Sequence, residues 1–107
     1  MNNYIIERTD TFESSLLEIA FMIAKNFDMD TMEKSLKSIE EHINRLSNPY
    51  IGSDKFAALS RLGYKVLVIP HNYVIYTIDE KNKKVILRLI IDDRQELYSV
   101  LNRYSLL

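Results

Sequence analysis

The sequence predicts an α+β fold in which a twisted antiparallel sheet packs on a helical hairpin, and three observations support this. Three runs rich in β-branched and aromatic residues, 65–69, 73–78 and 84–91, are separated by Pro70-His71-Asn72 and by Glu80-Lys81-Asn82-Lys83, the punctuation of an antiparallel meander. Ahead of them, two stretches place apolar residues at three- and four-residue steps, each behind an Asp-x-x-Glu sequence that can open a helix. Short apolar segments at the two ends add one strand and one helix, giving the order β-α-α-β-β-β-α. At 107 residues the chain is long enough for one core and is read as a single domain, 1–107.

Residues 3–8 hold Tyr4, Ile5 and Ile6 and read as an N-terminal strand that joins the sheet; its partner strand is not readable from sequence. Asp10-Thr11-Phe12-Glu13 then has the form of a capping box, with Asp10 as the cap. Phe12, Leu16, Ile19 or Ala20, Ile23 and Phe27 make one stripe behind it. Asp30-Thr31-Met32-Glu33 repeats the pattern ahead of Met32, Leu36, Ile39, Ile43 and Leu46. Two helices joined by so short a connection fold back on each other, and their combined stripe covers one sheet face. In residues 47–63, Asn48-Pro49 starts a turn, Gly52-Ser53-Asp54 loosens the chain and Phe56-Ala57-Ala58-Leu59 makes a short helical turn. After the last strand, Asp93-Arg94-Gln95-Glu96 again fits a capping box, ahead of a terminal helix with Leu97, Leu101 and Tyr104 on its apolar edge.

Composition excludes several classes of function. There is no cysteine, which removes disulfide scaffolds, thiol nucleophiles and thiolate metal sites and fits a reducing compartment. No basic-then-apolar leader opens the chain and no run of 18 apolar residues occurs, so the expected location is cytoplasmic, without a membrane partner. His71 lies in a turn and His42 on a distant helix, so no metal is expected, and nothing in the chain calls for a cofactor. Net charge is -1, unevenly divided: residues 1–50 carry nine acids and five bases, and residues 51–107 six acids and nine bases. The half that holds the meander is therefore the basic one, either as solvated surface or as a local field that guides phosphate.

Strict alternation in 85–91 puts Val85, Leu87, Leu89 and Ile91 on the face under the hairpin and Ile86, Arg88 and Ile90 on the other. An open face mixing apolar side chains with an arginine suits a protein partner. The alternatives are that Arg88 pairs with Asp92 or Glu80, or that the terminal helix covers the row.

The order of elements, together with Leu62-Gly63-Tyr64-Lys65-Val66, Asn72-Tyr73-Val74-Ile75-Tyr76-Thr77-Ile78-Asp79-Glu80 and Val85-Ile86-Leu87-Arg88-Leu89-Ile90, resembles the RelE/ParE superfamily of toxins from bacterial type II toxin–antitoxin systems. The resemblance implies a cognate antitoxin as partner. It also implies toxicity either by ribosome-dependent cleavage of mRNA, the reading taken first, or by a non-catalytic route such as DNA gyrase inhibition, with an antitoxin-binding remnant as a further alternative. Cleavage by attack of a 2′-hydroxyl needs a proton acceptor, positive charge on the crowded phosphate and a donor for the leaving oxygen. By resemblance these roles fall to Lys65 at the start of the meander, Arg94 just past its last strand and Tyr98 on the terminal helix, all expected near one end of the sheet. Each also has a plain structural reading: Lys65 as a charge on a sheet edge, Arg94 as the balance of Asp92 and Asp93, Tyr98 as packing beside Leu97. The chain departs from the cleaving pattern at Val74 and Leu67, where cations are common in those members, and at Asp92, where a basic residue or histidine is common.

Overall fold

The computed structural model describes residues 3–106. The strand β1 (Ile5–Arg8) leads into a hairpin of α1 (Asp10–Asn26) and α2 (Met29–Asn44). Two 3₁₀ turns (Arg45–Ser47 and Pro49–Ile51) and a one-turn helix α3 (Ala57–Arg61) follow. The meander is β2 (Lys65–Ile69), β3 (Asn72–Asp79) and β4 (Lys84–Asp92), and α4 (Leu97–Arg103) ends the chain. The α+β architecture is the one expected, the four strands standing in the order β1-β4-β3-β2.

The meander pairs antiparallel throughout, but β1 pairs with β4 in parallel, Ile5 opposite Lys84 and Arg8 opposite Leu87, so the sheet is mixed. A parallel pair needs a long crossover between its strands. Everything between β1 and β4 supplies it, and no local pattern reports that direction.

All three helix caps differ from the Asp-x-x-Glu reading. Thr9 caps α1 by accepting the Phe12 amide, and Asp28 caps α2 by accepting the Thr31 amide at 2.6 Å. Glu96 caps α4 by accepting the amides of Tyr98 and Ser99. Asp10 and Asp30 lie one and two residues inside, in the first turn, where an acid favours the positive helix end without capping it. The cap belongs to the last residue with an extended backbone, which an acid pair three residues apart does not mark.

Two apolar clusters lie on the two sheet faces. Under the hairpin, Phe12, Leu16, Ile19, Ile39, Ile43 and Leu46 meet Leu67, Ile69, Val74, Tyr76, Val85, Leu87 and Ile90. On the opposite face, Leu59 of α3 and Leu97, Val100 and Leu101 of α4 meet Val66, Ile75, Leu89 and Ile91.

The strict alternation expected for β4 breaks at Arg88. Ile75 stands opposite Leu89 but Tyr76 opposite Leu87, so Arg88 is the extra residue of a β-bulge. Beyond the bulge the faces exchange: Ile90 turns under the hairpin at 1% exposure, while Leu89 and Ile91 turn toward α4. The expected row of Ile86, Arg88 and Ile90 is therefore split, and Ile90 is a core residue.

Past the end of β1, β4 has no strand on that side, and α1 takes over. Leu87 C=O accepts both the amide and the hydroxyl of Thr9, and the Ile90 amide donates to the buried Ser15 hydroxyl at 3.0 Å. Ser15 in turn donates to Phe12 C=O at 2.8 Å. Ser15→Ala leaves the Ile90 amide buried without a partner and should destabilise by about 1–3 kcal/mol. Urea denaturation checks it: a lowered midpoint at unchanged m-value is expected.

Candidate functional site

Sequence reasoning nominated Lys65, Arg94 and Tyr98 as one site, and the structure disperses them. Lys65 pairs with Tyr76 across the β2–β3 ladder, so its side chain shares the hairpin face of the sheet. Its ammonium lies 3.3 Å from the Asp54 carboxylate. Tyr98 is on α4, which packs on the opposite face, and is 43% exposed. Lys65 is level with Tyr76 and Leu87, whereas Asp92 is level with Asn72. Four residues of strand rise therefore separate Lys65 from the end of the sheet that carries Arg94, roughly 13 Å.

Arg94 is occupied by its neighbour. Its Nε and Nη2 donate to the two oxygens of Asp92 at 3.0 and 2.8 Å, and its backbone amide donates to the same carboxylate at 2.8 Å. That guanidinium holds the largely buried Asp92 carboxyl below the ordinary aspartate range. The structural reading of Arg94 as the balance of Asp92 is the one realised. Gln95 reaches back to accept the Asp92 amide at 3.3 Å. The segment after β4 is thus a small turn, tied to the β2–β3 turn by the Asp93 amide, which donates to His71 C=O at 2.9 Å.

Arg94 also stands on the rim of a cavity of about 480 Å³ between the tip of the helical hairpin and the β2–β3 turn. Ile19, Ile23, Ile39 and Ile69 form its apolar floor; Thr31, Ser35 and Ser38 of α2 line one wall, and Pro70, His71 and Arg94 the other. His71 holds a positive φ of 67° in the tight turn that forms this lip. Phe27, 70% exposed, overhangs the entrance from the end of α1. Its apolar floor suits an apolar group.

The open face survives in altered form. On the α4 side, the half of the sheet that α4 does not reach presents Ile86 and Arg88, both partly exposed, with Thr77 beside them. Ile5, 66% exposed, joins them through β1 in place of Ile90. Arg88 pairs with neither Asp92 nor Glu80; its Nε donates to the Thr77 hydroxyl at 3.1 Å. The Lys84 ammonium is 3.5 Å from Glu7 on the same face.

A cluster absent from the sequence reading lies at the β3–β4 turn. The Tyr4 hydroxyl donates to one oxygen of Glu80 at 2.7 Å and the Tyr50 hydroxyl to the other at 2.5 Å. The phenols are 3.2 Å apart, and the Lys83 ammonium sits 5.2 Å from the Tyr4 ring centroid. The Tyr50 bond, then that of Tyr4, lowers the Glu80 pKa. These groups come from three separate segments, so spacing along the chain gives no sign of them. Among the described residues no group of acids and histidines is arranged to hold a metal, and no helix is long and apolar enough to cross a membrane.

No protein-family model and no curated protein matches the chain. Among solved structures it is similar to a chain of the chromosomal ParDE TA system from P. aeruginosa. The identity is 13%, the match covers 86% of this chain and 98% of that one, and the TM-score is 0.71. It is also similar to a chain of the toxin–antitoxin complex RelBE2 from Mycobacterium tuberculosis, at 14% identity, 84% and 98% coverage and a TM-score of 0.56. At such identities the fold is what is shared. The strand, helical hairpin, three-strand meander and terminal helix of this chain form a RelE/ParE-like fold.

Proposed function

We propose that this protein is the toxin of a type II toxin–antitoxin pair and that it acts by binding its target, in the manner of a gyrase inhibitor, without cleaving mRNA. The shared fold with chains of the ParDE system and the RelBE2 complex supports the first part. The second rests on one observation. Lys65 and Tyr98 lie on opposite faces of the sheet, and Lys65 and Arg94 are each engaged by a carboxylate. A phosphoryl-transfer site needs its cations preorganised around one phosphate, each such donor contributing about 2.7–4 kcal/mol. The separation along the sheet and the two carboxylate partners both weigh against a shared phosphate.

The antitoxin takes the open half-face of Ile5, Thr77, Ile86 and Arg88, where an exposed and a partly exposed isoleucine lie beside Arg88 and the Lys84–Glu7 pair. A row of this kind favours an amphipathic segment laid across it. Ile90 takes no part.

Induced expression in bacteria tests the reading, with mRNA ends mapped in parallel and purified protein added to a gyrase supercoiling reaction. The expected result is growth arrest that a co-expressed antitoxin relieves, inhibited supercoiling and intact mRNA. Lys65→Ala and Tyr98→Phe should arrest growth as fully as the parent chain. New 5′ ends at translated codons that disappear in Lys65→Ala would overturn the binding mechanism and restore cleavage. Growth unaffected by the chain would overturn the toxin reading.

A further inference from the structure

The two helices of the hairpin meet solvent differently. On α2 the exposed positions Glu33, Lys34, Lys37, Glu41 and Asn44 are all polar. On α1 they include Leu17 and Phe21, 56% and 66% exposed and one turn apart. With Glu13 and Lys25, which are also exposed, these make a ridge at four-residue steps, Glu13-Leu17-Phe21-Lys25. The ridge runs along the side of α1 that faces away from the buried Phe12, Leu16 and Ile19. Ion pairs stand at its edges, Arg8 with Glu13 and Arg103 of α4 with Glu18, and leave the two apolar side chains in water. An apolar pair on an outward helix face calls for a partner, and the charges that flank it say which.

We propose that this ridge is a twofold interface through which two copies of the chain pair, α1 against α1 and antiparallel. The order acid, apolar, apolar, base is complementary to its own reverse. When a twofold axis crosses α1 midway between Leu17 and Phe21, Leu17 of each copy meets Phe21 of the other, and Glu13 of each meets Lys25 of the other. A parallel pair would set Glu13 against Glu13 and Lys25 against Lys25, so the charge order selects the antiparallel one. The apolar residues lie at the crossing, where helix axes approach to about 8–10 Å, and the charged ones about 9 Å to either side along the axis, a splay that the long Lys25 and Glu13 side chains span. A single pair of crossed helices buries less than the roughly 1,200 Å² at which standard interfaces begin, so the pairing is weak and reversible. The ridge faces away from the sheet, and the half-face of Ile5, Ile86 and Arg88 lies beyond the sheet's other side, so pairing leaves that half-face free. The interface stands or falls independently of what the half-face binds.

The test is sedimentation equilibrium of the purified chain from about 10 μM to about 1 mM, with thermal unfolding of each variant beside it. The weight-average mass of the parent should climb toward that of a dimer across this range. Leu17→Gln/Phe21→Gln should stay monomeric at unchanged Tm, because both side chains are already exposed and glutamine keeps the helix. Leu62→Gln, which alters a residue 57% exposed just past α3, controls for general stickiness and should pair like the parent. Lys25→Glu turns two attractive end contacts into two repulsive ones and should weaken pairing roughly five- to thirtyfold at low salt, less as salt is added. Glu13→Lys/Lys25→Glu restores opposite charges in the antiparallel order, and Arg8 keeps Glu40, so this variant should recover the association of the parent. A parent chain still monomeric at about 1 mM overturns the interface. So does association that survives Leu17→Gln/Phe21→Gln, or that Leu62→Gln abolishes equally. Pairing unchanged by Lys25→Glu, or not recovered by the double charge exchange at unchanged Tm, overturns the antiparallel arrangement. Amide resonances of the parent supply a second readout: their shifts with concentration should centre on residues 13–25, and shifts centred elsewhere would overturn the interface.

Discussion

Gly52→Ala should cost about 2–5 kcal/mol, an unusual penalty for a single methyl group in a loop. A Cβ at position 52 would overlap the Tyr76 hydroxyl and come within 2.8 Å of its Cζ. Tyr76 has no exposed surface, packs under the hairpin and donates to Pro49 C=O at 2.6 Å, so its ring cannot step aside without losing that bond. The added methyl therefore combines overpacking with a broken buried hydrogen bond. Tyr76→Phe alone should cost about 1–3 kcal/mol, because the Pro49 carbonyl keeps only what water can reach it. Combining the two should cost less than their sum, since removing the hydroxyl opens the space that the methyl needs. A coupling of about 0.5–3 kcal/mol in that sense is expected from the double-mutant cycle. Strict additivity would contradict the contact. Burial also pushes the Tyr76 phenol up to about 12 from an ordinary value of 10.0. A raised folded pKa means stability that is complete below about pH 10 and lost as pH climbs through about 12, because only the unfolded chain releases the proton easily. Alkaline unfolding should accordingly be shallower in Tyr76→Phe than in the parent chain.

The contrast between Gly52 and the rest of its loop shows where sequence reasoning stops. Gly52-Ser53-Asp54 reads as loose chain, yet Gly52 faces a tyrosine 24 positions away and Ser53 bridges to Val66. Contacts of this kind depend on tertiary approach and leave no local periodicity. Elements with a strong period were legible: Phe12, Leu16 and Ile19, and Ile39 and Ile43, are buried where their stripes place them, and the three meander strands fall where turn residues bound them. The candidate site was less legible because it depended on register. One bulge at Arg88 exchanges the faces of everything after it and removes Ile90 from the partner row. The parallel placement of β1, by contrast, adds Ile5 to that row. Convergence of Lys65, Arg94 and Tyr98 required that strand ends, a loop turn and a helix face agree, and neither spacing nor resemblance constrains all three. The Asp92–Arg94 pair was readable because its partners are two residues apart. The phenol pair on Glu80 was not, because Tyr4, Tyr50 and Glu80 come from three segments.

Ile39→Ala should lower stability by about 2–5 kcal/mol, within the range for removing three buried methyl or methylene groups and leaving a cavity. Ile39 is 3% exposed and belongs to the cluster in which α2 and α1 meet Leu67, Val74 and Leu87. It also forms part of the floor of the cavity at the hairpin tip, so truncation enlarges a space that already exists. The neighbouring atoms then have little to collapse against, which pushes the cost toward the upper end of the range. Leu17→Ala on α1 is the matched control. Leu17 is 56% exposed and its truncation should change stability by no more than about 0.5 kcal/mol. For a domain of this size each kcal/mol corresponds to roughly 4–8 °C in Tm, so thermal unfolding separates the two variants easily. Equal midpoints for Ile39→Ala and the parent chain would place α2 off the sheet. The same pair of variants bears on partner binding: an apolar ligand group that enters the tip cavity should stabilise Ile39→Ala by more than it stabilises the parent, since it fills the space the isoleucine left.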